Sequence, residues 1–306
     1  MFAPPPRQTA KIAFKISDQL AGPPRGSHWL DIHFRGKPVS TFIEGPSFDR
    51  AGTLWMVDMA HGRLFKAAAD GTMAIAIEYD GEPNGLKFHR DGRAFITDRK
   101  YGIVALDPVS GKLTHLLADA YGERFRGVND LVFARNGDLY FTEQGQTGLN
   151  DPTGRLYRWR SNGQLDLLLD NVPSPNGLAL NAAEDTLFLA VTRGNSIWRV
   201  PLLKDGAVSK VGVFIQLSGG GGPDGIALDA AGNLAVCHIL LGVVWLISAV
   251  GEPLLRIDSP TGRLTTNCAF GGPDGKQLFI TESESGSILV ADMPERGLPL
   301  FSHQSL

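Results

Sequence analysis

Pro175-Asn176-Gly177-Leu178-Ala179-Leu180 reads as a short turn, a polar side chain and an alternating strand that ends on a large apolar residue. Five other stretches share the frame: Glu44-Gly45-Pro46-Ser47-Phe48, Asn84-Gly85-Leu86-Lys87-Phe88, Asn129-Asp130-Leu131-Val132-Phe133, Asp224-Gly225-Ile226-Ala227-Leu228 and Thr266-Asn267-Cys268-Ala269-Phe270. The closing apolar residues stand at 48, 88, 133, 180, 228 and 270, so the units repeat at intervals of 40, 45, 47, 48 and 42. A period in that range, with several short strands per unit, is the signature of a propeller. Residues 1–306 are therefore expected to form one six-bladed β-propeller domain, with 1–28 as an extension that matches no repeat.

Each unit follows one plan. The first strand ends at the closing apolar residue, and a turn such as Asp49 to Gly52, His89 to Gly92 or Arg135 to Gly137 follows. A second strand then alternates apolar and aromatic residues, as in Leu54-Trp55-Met56-Val57, Leu139-Tyr140-Phe141-Thr142 and Leu278-Phe279-Ile280-Thr281. Turn residues bounding β-branched and aromatic runs are strand and hairpin signals. No stretch holds a convincing 3.6-residue apolar period, so the fold class is all-β with four-stranded blades. A propeller must join its ends, commonly through an N-terminal strand that completes the last blade. Part of 29–42, where Leu30-Asp31-Ile32-His33-Phe34 alternates, is expected to supply that strand; Ile12-Ala13-Phe14-Lys15-Ile16 is the second choice. The third unit is unusual in inserting Gln144 to Thr153 after its second strand. Long polar loops on one face of a rigid scaffold often carry function.

Composition narrows the class. A net charge of −3 with mixed signs gives no case for a nucleic acid or membrane partner. Cys237 and Cys268 are too few for a disulfide framework, and each lies in an apolar strand. Met1 to Lys15 contains no apolar run of signal-peptide length, so no leader is expected and the expected compartment is the cytoplasm.

In a propeller the first strand of each unit lines a central channel, so one register position in every blade forms a ring. Here that ring is Glu44, Asn84, Asn129, Asn176, Asp224 and Thr266, all with side-chain oxygen. Oxygen ligands without thiolate or imidazole favour Ca2+ or Mg2+, and amide carbonyls with two carboxylates suit Ca2+ best. Without a cation, two carboxylates facing each other would repel. Pro-Asn-Gly and Pro-Asp-Gly are also ordinary turn sequences, so the ring rests on register rather than on any one motif. Glu44 is its sharpest member, because glutamate is not a turn former. A second column, Asp58, Asp98, Glu143, Val191, His238 and Glu282, marks the far ends of the second strands. If these ends share a rim, they wall a pocket above the cation and offer acids and bases.

These residues resemble the SMP-30/gluconolactonase/luciferin-regenerating-enzyme family, from about 40 to the C-terminus. The matching pieces are Glu44-Gly45-Pro46, Leu54-Trp55-Met56-Val57-Asp58, Asn129-Asp130, Asn176-Gly177-Leu178, Pro223-Asp224-Gly225 and Thr265-Thr266-Asn267-Cys268-Ala269-Phe270-Gly271-Gly272. The resemblance implies a six-bladed propeller with a divalent cation in its channel, and a hydrolase acting on a small-molecule lactone. Carried over by motif, the metal ligands are Glu44, Asn129, Asn176 and Asp224. Ca2+ is the first choice of ion, ahead of Zn2+, Mn2+, Mg2+ and Fe2+. Asn84, Asn129 and Arg126, with Asp98 and Glu282 on the rim, are the candidate substrate-binding residues. Animal members place an arginine two residues before the blade-three asparagine, where this chain has Gly127. The insertion after Glu143 is similar to that of bacterial lactonases.

The implied chemistry is metal-assisted opening of the lactone, with Asp224 as the base that activates water. Cation contact lowers the basicity of a carboxylate, so His238 and Glu143 stand as further catalytic candidates. Two other classes fit the same ring: a metal-dependent organophosphate hydrolase, and a propeller that only binds a ligand. Titratable groups within reach of a vacant metal position favour an enzyme.

Overall fold

The computed structural model describes residues 4–304; residues 1–3, the start of the stretch read for a leader, and 305–306 lie outside it. Six sheets form six blades in a ring, a six-bladed β-propeller. Their innermost strands are Ile43–Phe48, Pro83–Phe88, Val128–Phe133, Pro175–Leu180, Gly222–Leu228 and Thr265–Gly271. Each packs against the next, and the sixth returns to the first. All six closing apolar residues of the sequence frame fall at or next to the end of an innermost strand.

The core explains why the second strands are apolar at every position rather than at alternate ones. Six clusters each fill the space between two consecutive blades. In blade one, Leu54 and Met56 point into the cluster shared with blade six, while Trp55 and Val57 point into the cluster shared with blade two. Side chains alternate faces along a strand, and here both faces are buried. Cys237 and Cys268 sit together in the cluster between blades five and six as buried free thiols.

The ring is closed by Lys11–Lys15, which pairs antiparallel with Ser287–Asp292 as the outermost strand of blade six. The extension also adds Arg7–Thr9 to blade five, parallel to Pro253–Asp258, as a fifth strand. The expected donor, 29–42, is instead built around a helix, His28–Phe34. Ser27 caps that helix through Leu30 N at 3.4 Å. Trp29, Leu30 and Phe34 then share one helical face against Phe42, Met59 and Ala60. Ile32, which the alternation placed with Leu30 and Phe34, is exposed on the other side. No helix among the described residues is long and apolar enough to cross a membrane.

Candidate active site

In all six innermost strands the hydrogen-bond ladder slips at the ring position, for example between Glu44 and Ser47, Val128 and Leu131, and Pro223 and Ile226. A bulge bends its strand and re-aims a side chain. Freed amides are taken up by threonines of the second strands: Gly85 N donates to Thr97 Oγ1 at 2.7 Å, and Asp130 N to Thr142 Oγ1 at 3.1 Å. The same hydroxyls donate across to the next blade, Thr97 to Asn129 O and Thr142 to Asn176 O. Asn129 and Asn176 are therefore held by their neighbours' threonines as well as by their own strands. The column Thr97, Thr142 and Thr281 is the sequence signal of this arrangement, and Thr281 Oγ1 accepts from Asn267 N at 3.0 Å in the same way.

Glu44, Asn84, Asn129, Asn176 and Asp224 are all buried. Thr266 is not equivalent to them. Its hydroxyl lies within hydrogen-bond distance of Ile43 O at 3.0 Å, Thr281 Oγ1 at 2.9 Å and Ser283 Oγ at 3.2 Å. It ties blade six to blade one, and the oxygen ring is reduced to five members.

Two side chains one residue further along their strands also enter the channel: Asp130 of blade three and Asn267 of blade six. These blades face each other, and Asn267 Nδ2 donates to Asp130 Oδ2 at 3.2 Å across the axis. Glycine makes the room: a Cβ on Gly85 would lie 2.7 Å from Asp130 Oδ1, and one on Gly225 would lie 2.1 Å from the Asn267 amide. Register does not mark this layer in the sequence, because the ring residue is followed by glycine in four of the six frames.

Three carboxylates thus converge in one channel. Burial, then the Asp224 charge, push the Glu44 carboxyl well above the usual carboxylate range. Burial pushes Asp224 up to about 8, with the Asp130 charge acting in the same direction; Asn176 beside it and the more distant Arg193 oppose the shift only in part. No ion pair to Glu44, Asp130 or Asp224 occurs among the described residues.

The second column has a different geometry. Asp58 accepts from Phe42 N at 2.8 Å, Asp98 from Glu82 N at 3.1 Å, Glu143 from Arg126 N at 2.5 Å and Glu282 from Leu264 N at 3.3 Å. Each carboxylate clamps the segment that enters its own blade's innermost strand. Further partners occupy them: Arg63 on Asp58, Tyr79 on Asp98, Arg155 and Tyr157 near Glu143, and Thr261 on Glu282. Val191 of the same column is buried core. His238 has both ring nitrogens engaged, Nε2 at 3.0 Å from Gly219 O and Nδ1 accepting from Trp245 Nε1 at 3.2 Å. An indole N–H can only donate, so Nδ1 is the acceptor and Nε2 carries the proton. Burial lowers its pKa further. None of these groups is joined to the ring by a hydrogen bond. Arg126 is likewise engaged away from it, donating to Thr153 O at 2.8 Å and Thr153 Oγ1 at 3.2 Å.

The insertion does reach the ring. Asn129 Nδ2 donates to Gln144 Oε1 at 3.1 Å, and Gln144 Nε2 donates to Ser174 Oγ at 3.0 Å. Because its amide donates to Gln144, Asn129 turns its own carbonyl oxygen the other way. Further along, Gln146 Nε2 lies 3.3 Å from His33 Nε2, bringing the insertion against the helix His28–Phe34 at the same mouth. The ring offers two carboxylates and amide carbonyls to a cation, and its mouth is framed by polar groups.

The profile of the SMP-30/Gluconolactonase/LRE-like region matches residues 42–284. Lactonase drp35 of Staphylococcus aureus (strain MRSA252) is 29% identical over 244 residues, covering 76% of this chain and 73% of that one. A gluconolactonase of Zymomonas mobilis is 30% identical over 220 residues, 66% of this chain and 61% of its own. Among solved structures, a gluconolactonase from Xanthomonas campestris superposes with a TM-score of 0.75 at 25% identity, covering 94% of this chain and 99% of that one. A six-bladed ring, the oxygen residues in its channel and the profile match over 42–284 lead to one conclusion: this chain belongs to the SMP-30/gluconolactonase/LRE-like family.

Proposed function

We propose that this protein is a lactone hydrolase whose channel holds one divalent cation, Ca2+ by donor chemistry, through Glu44, Asn129, Asn176 and Asp224. The observation that carries the reading is the cluster of buried carboxylates with no protein cation paired to them. Buried charges are paired or coordinate metals, and this donor set is all oxygen. Relatives named lactonase and gluconolactonase support the substrate class. A cation bound there supplies Lewis acidity toward the lactone carbonyl and offsets the carboxylate repulsion.

The chain's own residues do the rest. Asp224 accepts a proton from the water whose oxygen attacks the carbonyl carbon; the ring C–O bond then breaks and the departing oxygen takes that proton, leaving a hydroxy acid. Gln144 fixes the Asn129 side-chain amide, while Thr97 and Thr142 fix the main chain at Asn129 and Asn176, which is the preorganisation such sites depend on. Asn84 borders the pocket as a neutral hydrogen-bonding group. Glu143 and His238, saturated within their blades, serve to position the entry loops.

The test is a panel of sugar and aliphatic lactones followed with a pH indicator, with and without chelator. Acid release that stops on chelation and returns with added Ca2+ is expected. Hydrolysis that ignores chelator in protein free of bound metal would remove the cation from the mechanism, and no hydrolysis of any lactone would remove the activity.

A further inference from the structure

Arg99 follows Asp98 at the end of the second strand of blade two. Its side chain is only 7% exposed, and its Nε, which makes no hydrogen bond, forms a long ion pair with the Glu82 carboxylate at 3.5 Å. That carboxylate is shared with His28, whose Nδ1 is 2.9 Å from it. The guanidinium lies against Gly127, two residues before Asn129: a Cβ there would be 3.0 Å from Nη1 and 3.2 Å from Cζ. Gly127 has a φ of +140°, so backbone and space alike exclude a side chain at that position. The glycine thereby leaves a slot beside the innermost strand of blade three, and a guanidinium from the neighbouring blade fills it.

A second arginine faces the same mouth. Arg193, on the loop after the second strand of blade four, has no ion pair or hydrogen bond from its side chain among the described residues. It packs against Gly148 of the insertion, and its charge is felt at both Asp224 and His33. His33 is stacked on Trp29 at 4.9 Å and reaches Gln146. Burial, then Arg99, Arg193 and His28, bring it down to about 4. It is therefore neutral at neutral pH, beside two cations. Glu82 meets the Arg99 guanidinium at a length beyond a good hydrogen bond, and a planar oxyanion is the ligand that guanidinium forks take up.

We propose that Arg99 and Arg193, both close to His33, recognise an acidic group of the substrate, so that the preferred lactones carry a carboxylate or phosphate beside the scissile ring. This rests on the lactone-hydrolase reading and adds the chemical class of the substrate to it.

The test uses matched substrates on Ca2+-supplied protein: D-saccharic acid 1,4-lactone against D-glucono-1,4-lactone, which carries hydroxymethyl for carboxylate, and glucono-1,5-lactone with and without a 6-phosphate. Wild-type kcat/KM is expected to favour the acidic member of one pair, and which pair it is tells carboxylate from phosphate. Arg99→Met and Arg193→Met should each lower that preference by about 10- to 100-fold, the loss of a charge-assisted hydrogen bond. Arg99→Lys should lose an intermediate amount, since it keeps charge without the fork. Lys112→Met, an exposed charge on an outer hairpin, should leave the preference as it is. Arg193 is exposed, so its variant reports even if Arg99→Met fails to fold. Equal rates on acidic and neutral lactones, or a preference that survives both substitutions, would overturn the proposal. If no lactone is opened, calorimetry with the open-chain glucarate, gluconate and 6-phosphogluconate decides. Tighter binding of glucarate or of the phosphate than of gluconate, lost in Arg193→Met, upholds the anion site although the activity reading has failed. Equal binding of all three removes it too.

Discussion

Replacing Asp224 by asparagine should stabilise the metal-free protein and destabilise the metal-loaded one. In the channel, burial and the neighbouring Asp130 charge raise the Asp224 carboxyl from its ordinary 3.8 to about 8. The folded chain then binds more protons than the unfolded chain between roughly pH 4 and pH 8, so stability falls as pH rises through that window. Tenfold in ionisation corresponds to 1.36 kcal/mol, so at pH 7 the buried carboxyl costs the metal-free fold on the order of 4 kcal/mol. Asn keeps the shape and removes the charge, and it also relieves Glu44, whose own shift owes part of its size to Asp224. At a sensitivity of roughly 2 °C per kcal/mol for a chain of this size, the melting temperature in chelator at pH 8 should rise by up to about 8 °C. In Ca2+ the order should reverse, because the wild type binds the ion more tightly and gains more from mass action. The assay is a thermal melt of both proteins from pH 4 to 8, in chelator and in Ca2+, with circular dichroism to verify the fold. A variant with native spectrum that melts below the wild type in chelator at pH 8 would refute the picture of repelling carboxylates.

Three further outcomes follow from particular contacts. At saturating Ca2+, Asp224→Asn should lose about 10²–10⁴-fold in turnover as a missing base, and Asn176→Asp should lose less; near wild-type turnover in Asp224→Asn would place the base elsewhere. Arg63→Met should lower stability by about 3–5 kcal/mol in urea unfolding, because it strands the Asp58 carboxylate in the core. Arg63 also donates to Ala21 O at 2.8 Å and Ser40 O at 2.7 Å, so protease sensitivity in 16–40 should rise with it. Gly225→Ala should cost about 1–3 kcal/mol by overpacking against Asn267, and adding Asn267→Ala should recover only part of the loss, because the new Cβ also meets the Asn267 Cα at 2.6 Å. Additive losses in the double variant would mean that the clash is not the cause.

The propeller and most of the ring were legible in the sequence because both are consequences of register. A repeat that returns Phe48, Phe88, Phe133, Leu180, Leu228 and Phe270 to the same strand end also returns Glu44, Asn84, Asn129, Asn176 and Asp224 to the same height in the channel. Local alternation and turn chemistry sufficed for that, since each blade repeats one short-range pattern. What depends on neighbours across blades was not legible. Thr266 holds the ring column yet bonds to Ile43 of blade one, and Asp130 meets Asn267 only because blades three and six face each other. Glu143 and His238 looked like acids and bases by residue type, but packing gave their polar atoms to Arg126 N, Gly219 O and Trp245. Ring closure by Lys11–Lys15 and the helix at His28–Phe34 were decided the same way. Both segments alternate well enough for a strand, and the choice between them fell to which one could bury Trp29 and Leu30 on the rim. Residue identity and period determined the scaffold and its oxygen ring; long-range packing decided which polar atoms were left free in the channel to act.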